Sequence, residues 1–325
     1  MKNKIDNLKK EWIPLTLEIL SVIKEKIDDS CLEGCDTSIA NLFLLQKRYG
    51  ILFCMDENCL YRFYTVYNSY GFPIPLKTSQ NDFLINAIKF IQNDNLQNNR
   101  PMNFCFCTQN QKNMLDNCIR NHFPSVNLNW NSNRNDSDYI YEQRKLATLS
   151  GKEYHKKKNH VSRFSRIYEG RYKFKFYSVD DFSDEVKKDF LHVAEKWFEE
   201  NNMESNEYLL IEYEALISAI ENYTKLRLES GILYVDDKPI AITLASKISS
   251  EIVDVIFEKS LKNVANDGAY AAINKFFSEK CDSYLYINRE EDMGIEGLRK
   301  AKLSYKPVKI LDKFYSHVIK PVLYK

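Results

Sequence analysis

One order of predicted secondary-structure elements occurs twice in the 325 residues, and this repeat constrains the fold more than any single motif. Each half reads as two helices, three strands that begin with a hairpin, and helices that then alternate with strands. The tripeptide Gly-Ile-Leu begins a strand at residue 50 and again at residue 231, an offset of 181 residues. Phe104 and Leu285 keep that offset, and Val126 and Val308 lie 182 residues apart. The spacing favours a tandem duplication over a chance alternation of helices and strands.

The repeat predicts an α+β chain of two domains, residues 1–160 and 161–325, each with a mixed, twisted sheet flanked by helices. The order of elements in each half is similar to the acyl-CoA N-acyltransferase (GNAT) fold. That resemblance implies two central strands that splay apart to receive a carbonyl-bearing donor, with a helix N-terminus facing the donor's phosphates. We expect the active site in the second domain.

Composition and charge exclude several classes of protein. The chain holds 46 Lys and Arg against 45 Asp and Glu, a balance that disfavours bulk binding of nucleic acid. Only nine residues are glycine, and neither glycine-rich nucleotide-binding motif occurs. The eight cysteines include no Cys-x-x-Cys pair, so no metal site is predicted. Because no apolar run of about 18 residues and no secretory leader occurs, we expect a cytoplasmic protein without a transmembrane segment.

A basic segment precedes the second half of the repeat. Residues 152–175 hold nine basic residues against two acidic ones. Such a density of Lys and Arg suits the phosphate groups of a tRNA, a nucleotide or a lipid headgroup. The alternative, slightly favoured, is a solvated connector that pairs with the acidic helices after it. His155 and His160 lie in this segment without a matching pair of ligands, which makes them weak metal candidates.

The other chemically dense stretch runs from Asn288 to Pro307. It leaves the end of a strand and enters a helix, which is a frequent location for sites in α/β folds. Arg299 and Lys302 are three residues apart and share a helix face. A cation there could stabilise the negative charge that develops on an attacked carbonyl oxygen.

Acid–base groups occur in the same stretch. Glu290, Glu291 or Asp292 could accept a proton from an amine nucleophile, and Tyr305 could donate one to a leaving oxygen or sulfur. For any single residue the alternative is a place on a capped surface helix with salt bridges. The clustering of these residue types favours a functional site for the stretch as a whole.

A third candidate is the helix start around Gly268. A GNAT domain would hold the pyrophosphate of coenzyme A there, since a glycine permits close approach of the backbone. The usual pattern has an Arg or Gln followed by two spaced glycines, but residues 262–272 contain only Gly268. The signal for coenzyme A is therefore weak and favours a larger or different donor. No cofactor is firmly predicted, and acyl-CoA stays open as a candidate.

Two stretches, residues 138–164 and 288–305, resemble a bacterial family of soluble proteins related to the C-terminal domain of phosphatidylglycerol lysyltransferase. The resemblance covers nearly the whole chain. It implies a tandem GNAT fold similar to that of the Fem-type peptidoglycan aminoacyltransferases, which move an aminoacyl group from a charged tRNA to an amine. The lysyltransferases move an aminoacyl group to a lipid hydroxyl.

The resemblance points to positions in both stretches. In the first they are Arg144, Gly151, Lys158, Asn159, His160 and Arg163; in the second they are Asn288, Arg289, Glu290, Asp292, Gly294, Leu298, Arg299, Lys302 and Tyr305. We predict catalytic roles for Glu290, Asp292, Arg299, Lys302 and Tyr305. We predict substrate binding by Arg144, Lys158, Asn159, His160, Arg163, Gly268, Asn288 and Arg289.

The function that follows is transfer of an aminoacyl or acyl group. The expected donor is an aminoacyl-tRNA or an acyl-CoA, and the expected acceptor is an amine or hydroxyl on a small molecule, a peptide or a lipid headgroup. One alternative is a coenzyme A-dependent N-acetyltransferase, which tight binding of acetyl-CoA would favour. Another is a non-catalytic binding protein that retains the fold and a basic groove.

Overall fold

The computed structural model describes residues 6–9, 11–30, 32–79, 82–201 and 207–318. Those residues form two compact units. Unit 1 comprises the described parts of Met1–Leu32, Leu45–Ser137 and Leu311–Lys325, and unit 2 comprises those of Glu33–Leu44 and Asp138–Ile310. Each unit therefore draws on both halves of the sequence.

The described residues include thirteen α-helices and fourteen strands. The helices are α1 (Leu17–Ile23), α2 (Ile39–Leu44), α3 (Gln46–Tyr49), α4 (Phe83–Asn98), α5 (Gln109–His122), α6 (Gln143–Thr148), α7 (His155–Ile167), α8 (Asp184–Glu200), α9 (Glu207–Glu221), α10 (Tyr223–Leu226), α11 (Lys262–Ala265), α12 (Ala269–Lys280) and α13 (Glu296–Leu303). The strands are β1 (Ile51–Met55), β2 (Cys59–Tyr64), β3 (Ser69–Gly71), β4 (Ile74–Pro75), β5 (Phe104–Cys105), β6 (Leu128–Ser132), β7 (Asp138–Glu142), β8 (Tyr172–Tyr177), β9 (Glu229–Val235), β10 (Lys238–Lys247), β11 (Ile252–Ser260), β12 (Tyr286–Asn288), β13 (Lys309–Leu311) and β14 (Phe314–Val318).

The sheet of unit 1 has the order β1-β2-β3-β5, with β4 pairing to β2. The first strands form antiparallel pairs, whereas β5 lies parallel to β3. In the seven-stranded sheet of unit 2 the order is β13-β7-β12-β11-β10-β9-β8. Strands β9, β10 and β11 are antiparallel neighbours, and β12 lies parallel to β11. The succession β9-β10-β11-β12 thus repeats β1-β2-β3-β5, and the predicted α+β fold with two mixed sheets is confirmed.

The division into units differs from the predicted boundary after residue 160. Strand β7 pairs antiparallel with β12, so the chain from Asp138 onward lies in unit 2. Strand β14 pairs antiparallel with β6 in unit 1, and Phe314 also forms a bridge with Cys107. The two halves therefore exchange strands. Local periodicity identifies a strand but not a partner more than a hundred residues away.

Apolar side chains on one face of the unit 2 sheet form its core. Val253, Val255 and Ile287 pack in one buried cluster with Phe277 of α12 and Val161 of α7. Helix α7 faces this core with a stripe at helical spacing, because Tyr154, Val161 and Phe164 are buried while most of the intervening positions are exposed. The helices that cover this face are thereby held against β11 and β12. No helix within the described ranges combines the length and the apolar character needed to cross a membrane.

Candidate active site

The central strands of unit 2 separate beside the sheet core. Strand β12 pairs with β11 only from Ile252 to Asp254, although β11 continues to Ser260. After Asn288 the chain stays with β7, since Arg289 N donates to Tyr139 O at 3.0 Å and Tyr139 N donates to Glu290 O at 3.1 Å. The edge of β11 beyond Asp254 therefore has no partner in β12. We call this opening the β11–β12 gap.

Side chains at the gap point to both faces of the sheet. Asn288 donates to Asp138 at 2.9 Å, whereas its neighbour Arg289 pairs with Glu258 at 2.8 Å. This is the alternation expected of consecutive residues at a strand end. Two groups result. The acidic cluster contains Cys35, Asn41, Asp138, Asp254, Asn288, Glu290 and Glu291, and the aromatic–basic cluster contains Tyr141, Lys157, Glu258, Arg289 and Tyr305.

Asn41 of α2 links the acidic cluster to the gap. Its Nδ2 lies 2.9 Å from Glu290 Oε1, 3.1 Å from Asp254 Oδ2 and 3.0 Å from the backbone oxygen of Cys35. Asp138 accepts from Cys35 N at 2.8 Å as well as from Asn288. Asn41, Asp138 and Asp254 are buried, so several carboxylates lie close together away from bulk water.

This crowding changes the acid strength of Glu290. Burial raises the pKa of Glu290 to about 8, and the neighbouring charge of Glu291 acts in the same direction. The hydrogen bond from Asn41 opposes the shift. Glu290 therefore holds a proton over most of the neutral range and can exchange it near pH 8, as a group active in proton transfer must.

One part of the acidic cluster has the composition of a cation site. The ligand atoms of Cys35, Asp138 and Glu291 lie within 4.8 Å of one another. The Cys35 thiol donates to Asp138 Oδ1 at 3.3 Å, so this thiol and carboxylate already satisfy each other without an ion. The sequence predicts no metal ligands here, because Cys35 lies about a hundred residues from Asp138.

Lys302 anchors the loop that follows β12. It is buried, and its ammonium donates to the backbone oxygens of Arg289, Glu290 (3.2 Å) and Glu291 (2.6 Å). These contacts hold the backbone of residues 289–291 against Lys302. Burial lowers the pKa of Lys302, and the nearby Glu291 opposes that shift.

Asp292 and Arg299 form a second anchor. Arg299 donates to both carboxylate oxygens of Asp292, at 2.8 and 2.7 Å, and Asp292 also accepts from the Tyr139 hydroxyl and from Gly294 N. Burial alone would raise the pKa of Asp292, but the hydrogen bonds from Arg299, Tyr139 and Gly294 together lower it well below its usual range. Asp292 therefore stays ionised and is a poor base. The pair ties the loop to α13.

The aromatic–basic cluster surrounds the ring of Tyr305. The Arg289 guanidinium lies 4.9 Å from the ring centroid and Lys157 Nζ lies 4.0 Å from it. Glu258 binds Arg289 and also accepts from Asn274 at 3.0 Å. Burial raises the pKa of Tyr305 to about 12, which makes its phenol a weak proton donor.

The predicted binding residues of the first stretch are exposed. Arg144 on α6 is exposed, as are Lys158, Asn159 and His160 on α7. Arg163 is exposed as well and pairs with Asp267 at 3.3 Å. The structure therefore brings together the predicted residues of the second stretch and leaves those of the first on an outer surface.

Gly268 has a structural use that the sequence does not reveal. A Cβ on this residue would lie 2.3 Å from the backbone oxygen of His160, and the φ of Gly268 is +105°. Helix α7 thus packs directly against the place predicted for a pyrophosphate. The glycine serves close packing of two segments.

Replacing Gly268 with alanine should lower the free energy of unfolding by about 2 kcal/mol or more, through overlap with His160 and through strain at positive φ. Gly297→Ala is the matched control. Nothing lies within 4 Å of a Cβ at Gly297 in α13, so alanine should be neutral or stabilise the helix by about 0.5–1 kcal/mol. Denaturant unfolding of both variants would measure the difference. Equal stabilities would contradict the close packing.

Some residues at the gap are not among those predicted from sequence. Lys157 is one of them. It is half-buried on the side of α7 that carries Val161 and Phe164, whereas Lys158 is exposed. Contacts between segments distant in sequence bury Asn41, Cys35 and Asp138. No local sequence pattern therefore predicts their place at the gap.

Comparisons with known proteins agree with this architecture. Residues 31–317 match the family described as "Phosphatidylglycerol lysyltransferase, C-terminal". A conserved protein of unknown function from Bacteroides thetaiotaomicron is 31% identical, with a TM-score of 0.83 over 95% of this chain and 99% of its own. The structure of L-PGS from Bacillus licheniformis is 15% identical, with a TM-score of 0.63 over 96% of this chain and 94% of its own. An uncharacterized protein of Mycoplasmoides gallisepticum is 25% identical over 235 residues, which are 68% of this chain and 72% of that protein.

Proposed function

The chain belongs to the family of the phosphatidylglycerol lysyltransferase C-terminal domain, and on this premise we propose that it transfers an aminoacyl group from an ester donor to an amine or hydroxyl acceptor at the β11–β12 gap. The observation that carries the proposal is the three-residue pairing of β11 with β12. It leaves strand backbone open for a donor carbonyl beside a carboxyl group whose pKa lies near 8.

Glu290 is the proton acceptor in this proposal. As the acceptor's nitrogen or oxygen attacks the donor carbonyl, Glu290 takes its proton. Lys302 and the Asp292–Arg299 pair hold the loop so that the carboxyl group keeps its position, which supports reaction because a misplaced base loses much of its effect.

Arg289 supplies the polarising contact. Its Nη1 is buried and has no hydrogen-bond partner among the described residues. An unpaired buried donor costs about 1–3 kcal/mol, and a carbonyl oxygen that becomes negative during the reaction would satisfy it. Arg289 thereby takes the role that the sequence suggested for Arg299 or Lys302.

The donor is proposed to be an aminoacyl-tRNA. The His160 backbone occupies the approach to Gly268, where the pyrophosphate of coenzyme A was expected. The exposed basic residues of α7, which include Lys158 and Arg163, instead suit the phosphate backbone of a larger donor. The acceptor is a lipid headgroup, a peptide or a small molecule.

The direct test uses tRNA charged with labelled lysine or alanine. The purified protein is incubated with each donor and with vesicles of phosphatidylglycerol, a peptide amine or a free amino acid. We expect stable label in one acceptor at a rate at least about tenfold above the blank, since even modest positioning exceeds that. Binding of charged tRNA without transfer to any acceptor would support the non-catalytic alternative. Tight calorimetric binding of acetyl-CoA with acetylation of an amine would support the coenzyme A alternative.

A further inference from the structure

Among the Lys and Arg side chains of helix α7, only that of Lys157 is half-buried. Helix α7 carries Lys156 and Lys158 on exposed positions, whereas Lys157 is half-buried and turns toward the sheet. Its Nζ lies 4.0 Å from the centroid of the Tyr305 ring. The amine therefore enters the aromatic–basic cluster at the β11–β12 gap.

No carboxylate neutralises this amine. Glu258, on β11, is bound by Arg289 and Asn274, and Lys157 forms no ion pair or hydrogen bond with any described residue. The ring of Tyr305 stabilises an ammonium through its face but cannot accept its proton as a carboxylate would. Lys157 thus carries a proton that a substrate atom can receive.

We propose that Lys157 is the catalytic acid of unit 2, which delivers a proton to the oxygen that leaves the donor ester. The inference rests on the proposed transferase function. The acceptor's nitrogen or oxygen forms a bond to the acyl carbon, and the bond from that carbon to the donor's ester oxygen breaks. Glu290 takes the proton lost by the acceptor, and Lys157 gives its own proton to the leaving oxygen. Exchange with water then restores both groups.

The electrostatic surroundings suit this role. Burial, and after it the positive charge of Arg289, lower the pKa of Lys157 to about 8, while Glu258 opposes the shift. The ammonium form is therefore dominant below pH 8 and is lost above it. An acid whose pKa lies near the working pH releases its proton more readily than an ordinary lysine does.

The positions of Lys157 and Glu290 also agree with separate roles, Lys157 as the acid and Glu290 as the base. Arg289 and Glu290 are adjacent, and their side chains belong to the two clusters on opposite faces of the sheet. Glu290 thus removes the acceptor's proton from one face of the sheet, and Lys157 delivers a proton to the leaving oxygen from the other face. Tyr305, the donor predicted from sequence, instead forms the surface on which the amine of Lys157 lies.

The first arm of the test needs no substrate. The folded protein is acetylated with trace acetic anhydride at a series of pH values, and peptide mass spectrometry gives the modification of each lysine. Acetylation of Lys157 should have its midpoint near pH 8, about two units below that of a free lysine side chain. In Tyr305→Phe the ring remains, so the difference should persist. An acetylation midpoint of Lys157 at the value of a free lysine overturns the proposal.

The second arm measures transfer. Lys157→Met should reduce the rate about 100-fold and remove the decline of the rate above pH 8. Lys157→Arg keeps the positive charge but does not release its proton, so it should lose activity to a similar extent. Lys188→Met, at an exposed position of α8, is the control and should stay within twofold of wild type. Unfolding curves establish that each variant folds.

The outcomes separate the two claims. Wild-type transfer together with a fully active Lys157→Arg variant overturns the acid role and leaves the transferase function standing. A wild-type protein that transfers to no acceptor overturns the proposed function, and the acid role falls with it even when Lys157 titrates near pH 8.

Discussion

Glu290→Gln is expected to reduce aminoacyl transfer about 1,000-fold, within the range that removal of a general base produces. Glutamine matches the shape of the protonated side chain and can still bind Asn41, but it cannot take the acceptor's proton. Because the pKa of Glu290 is about 8, the wild-type rate should rise with pH up to that value. This rising limb should be absent from the residual rate of the variant, measured with charged tRNA between pH 6 and 9.

Stability provides the control for this variant. A carboxyl group whose pKa is raised by folding binds its proton more tightly in the folded state, so its contribution to stability falls as the pH rises from about 4.5 to 8. Glu290→Gln should therefore be at least as stable as wild type at pH 9. Glu296→Gln, at an exposed position of α13, should change neither rate nor stability. A fully active Glu290→Gln enzyme would exclude Glu290 as the base.

Lys302→Met should lower the free energy of unfolding by about 3–5 kcal/mol, the usual cost of removing one partner from a buried charged network. The change leaves the backbone oxygens of residues 289–291 without their donor and removes the cation that faces Glu291. Since these residues form one side of the gap, transfer should fall below detection even where the variant is folded.

Lys300→Met is the matched control for Lys302. Both residues lie on α13, but Lys300 is exposed, and its loss should change the free energy of unfolding by no more than about 0.5 kcal/mol. Chemical denaturation of the two variants gives the comparison. Similar stabilities would show that Lys302 does not hold the loop.

The candidate site was predictable where its residues are contiguous in sequence. Asn288, Glu290 and Tyr305 lie in one stretch that leaves a strand and enters a helix, so a single segment carries the loop and its anchors. The repeat of Gly-Ile-Leu likewise places β1 and β9 in equivalent positions of the four-strand succession that the two sheets share. Local periodicity and spacing suffice for such features.

The remainder depends on long-range pairing. Strand β7 beside β12, β14 beside β6, and the segment from Glu33 to Leu44 within unit 2 are contacts between distant residues. The acidic cluster likewise brings together Asn41 and Glu290, which are 249 residues apart in sequence. The two anchors show the same limit, since residue type suggests catalysis for Lys302 and Arg299 but does not predict the backbone oxygens and the Asp292 carboxylate that they bind.

A crystal structure with a stable donor analogue would show where the transferred group lies. The analogue is adenosine whose 3′-oxygen is replaced by nitrogen and carries a lysyl amide. The proposal predicts that its acyl carbonyl lies in the β11–β12 gap, near Arg289 Nη1 and within about 3–4 Å of the Glu290 carboxyl group or of a water bound to it. An analogue bound in unit 1, or on the outer surface of α7 with its carbonyl away from the gap, would contradict it.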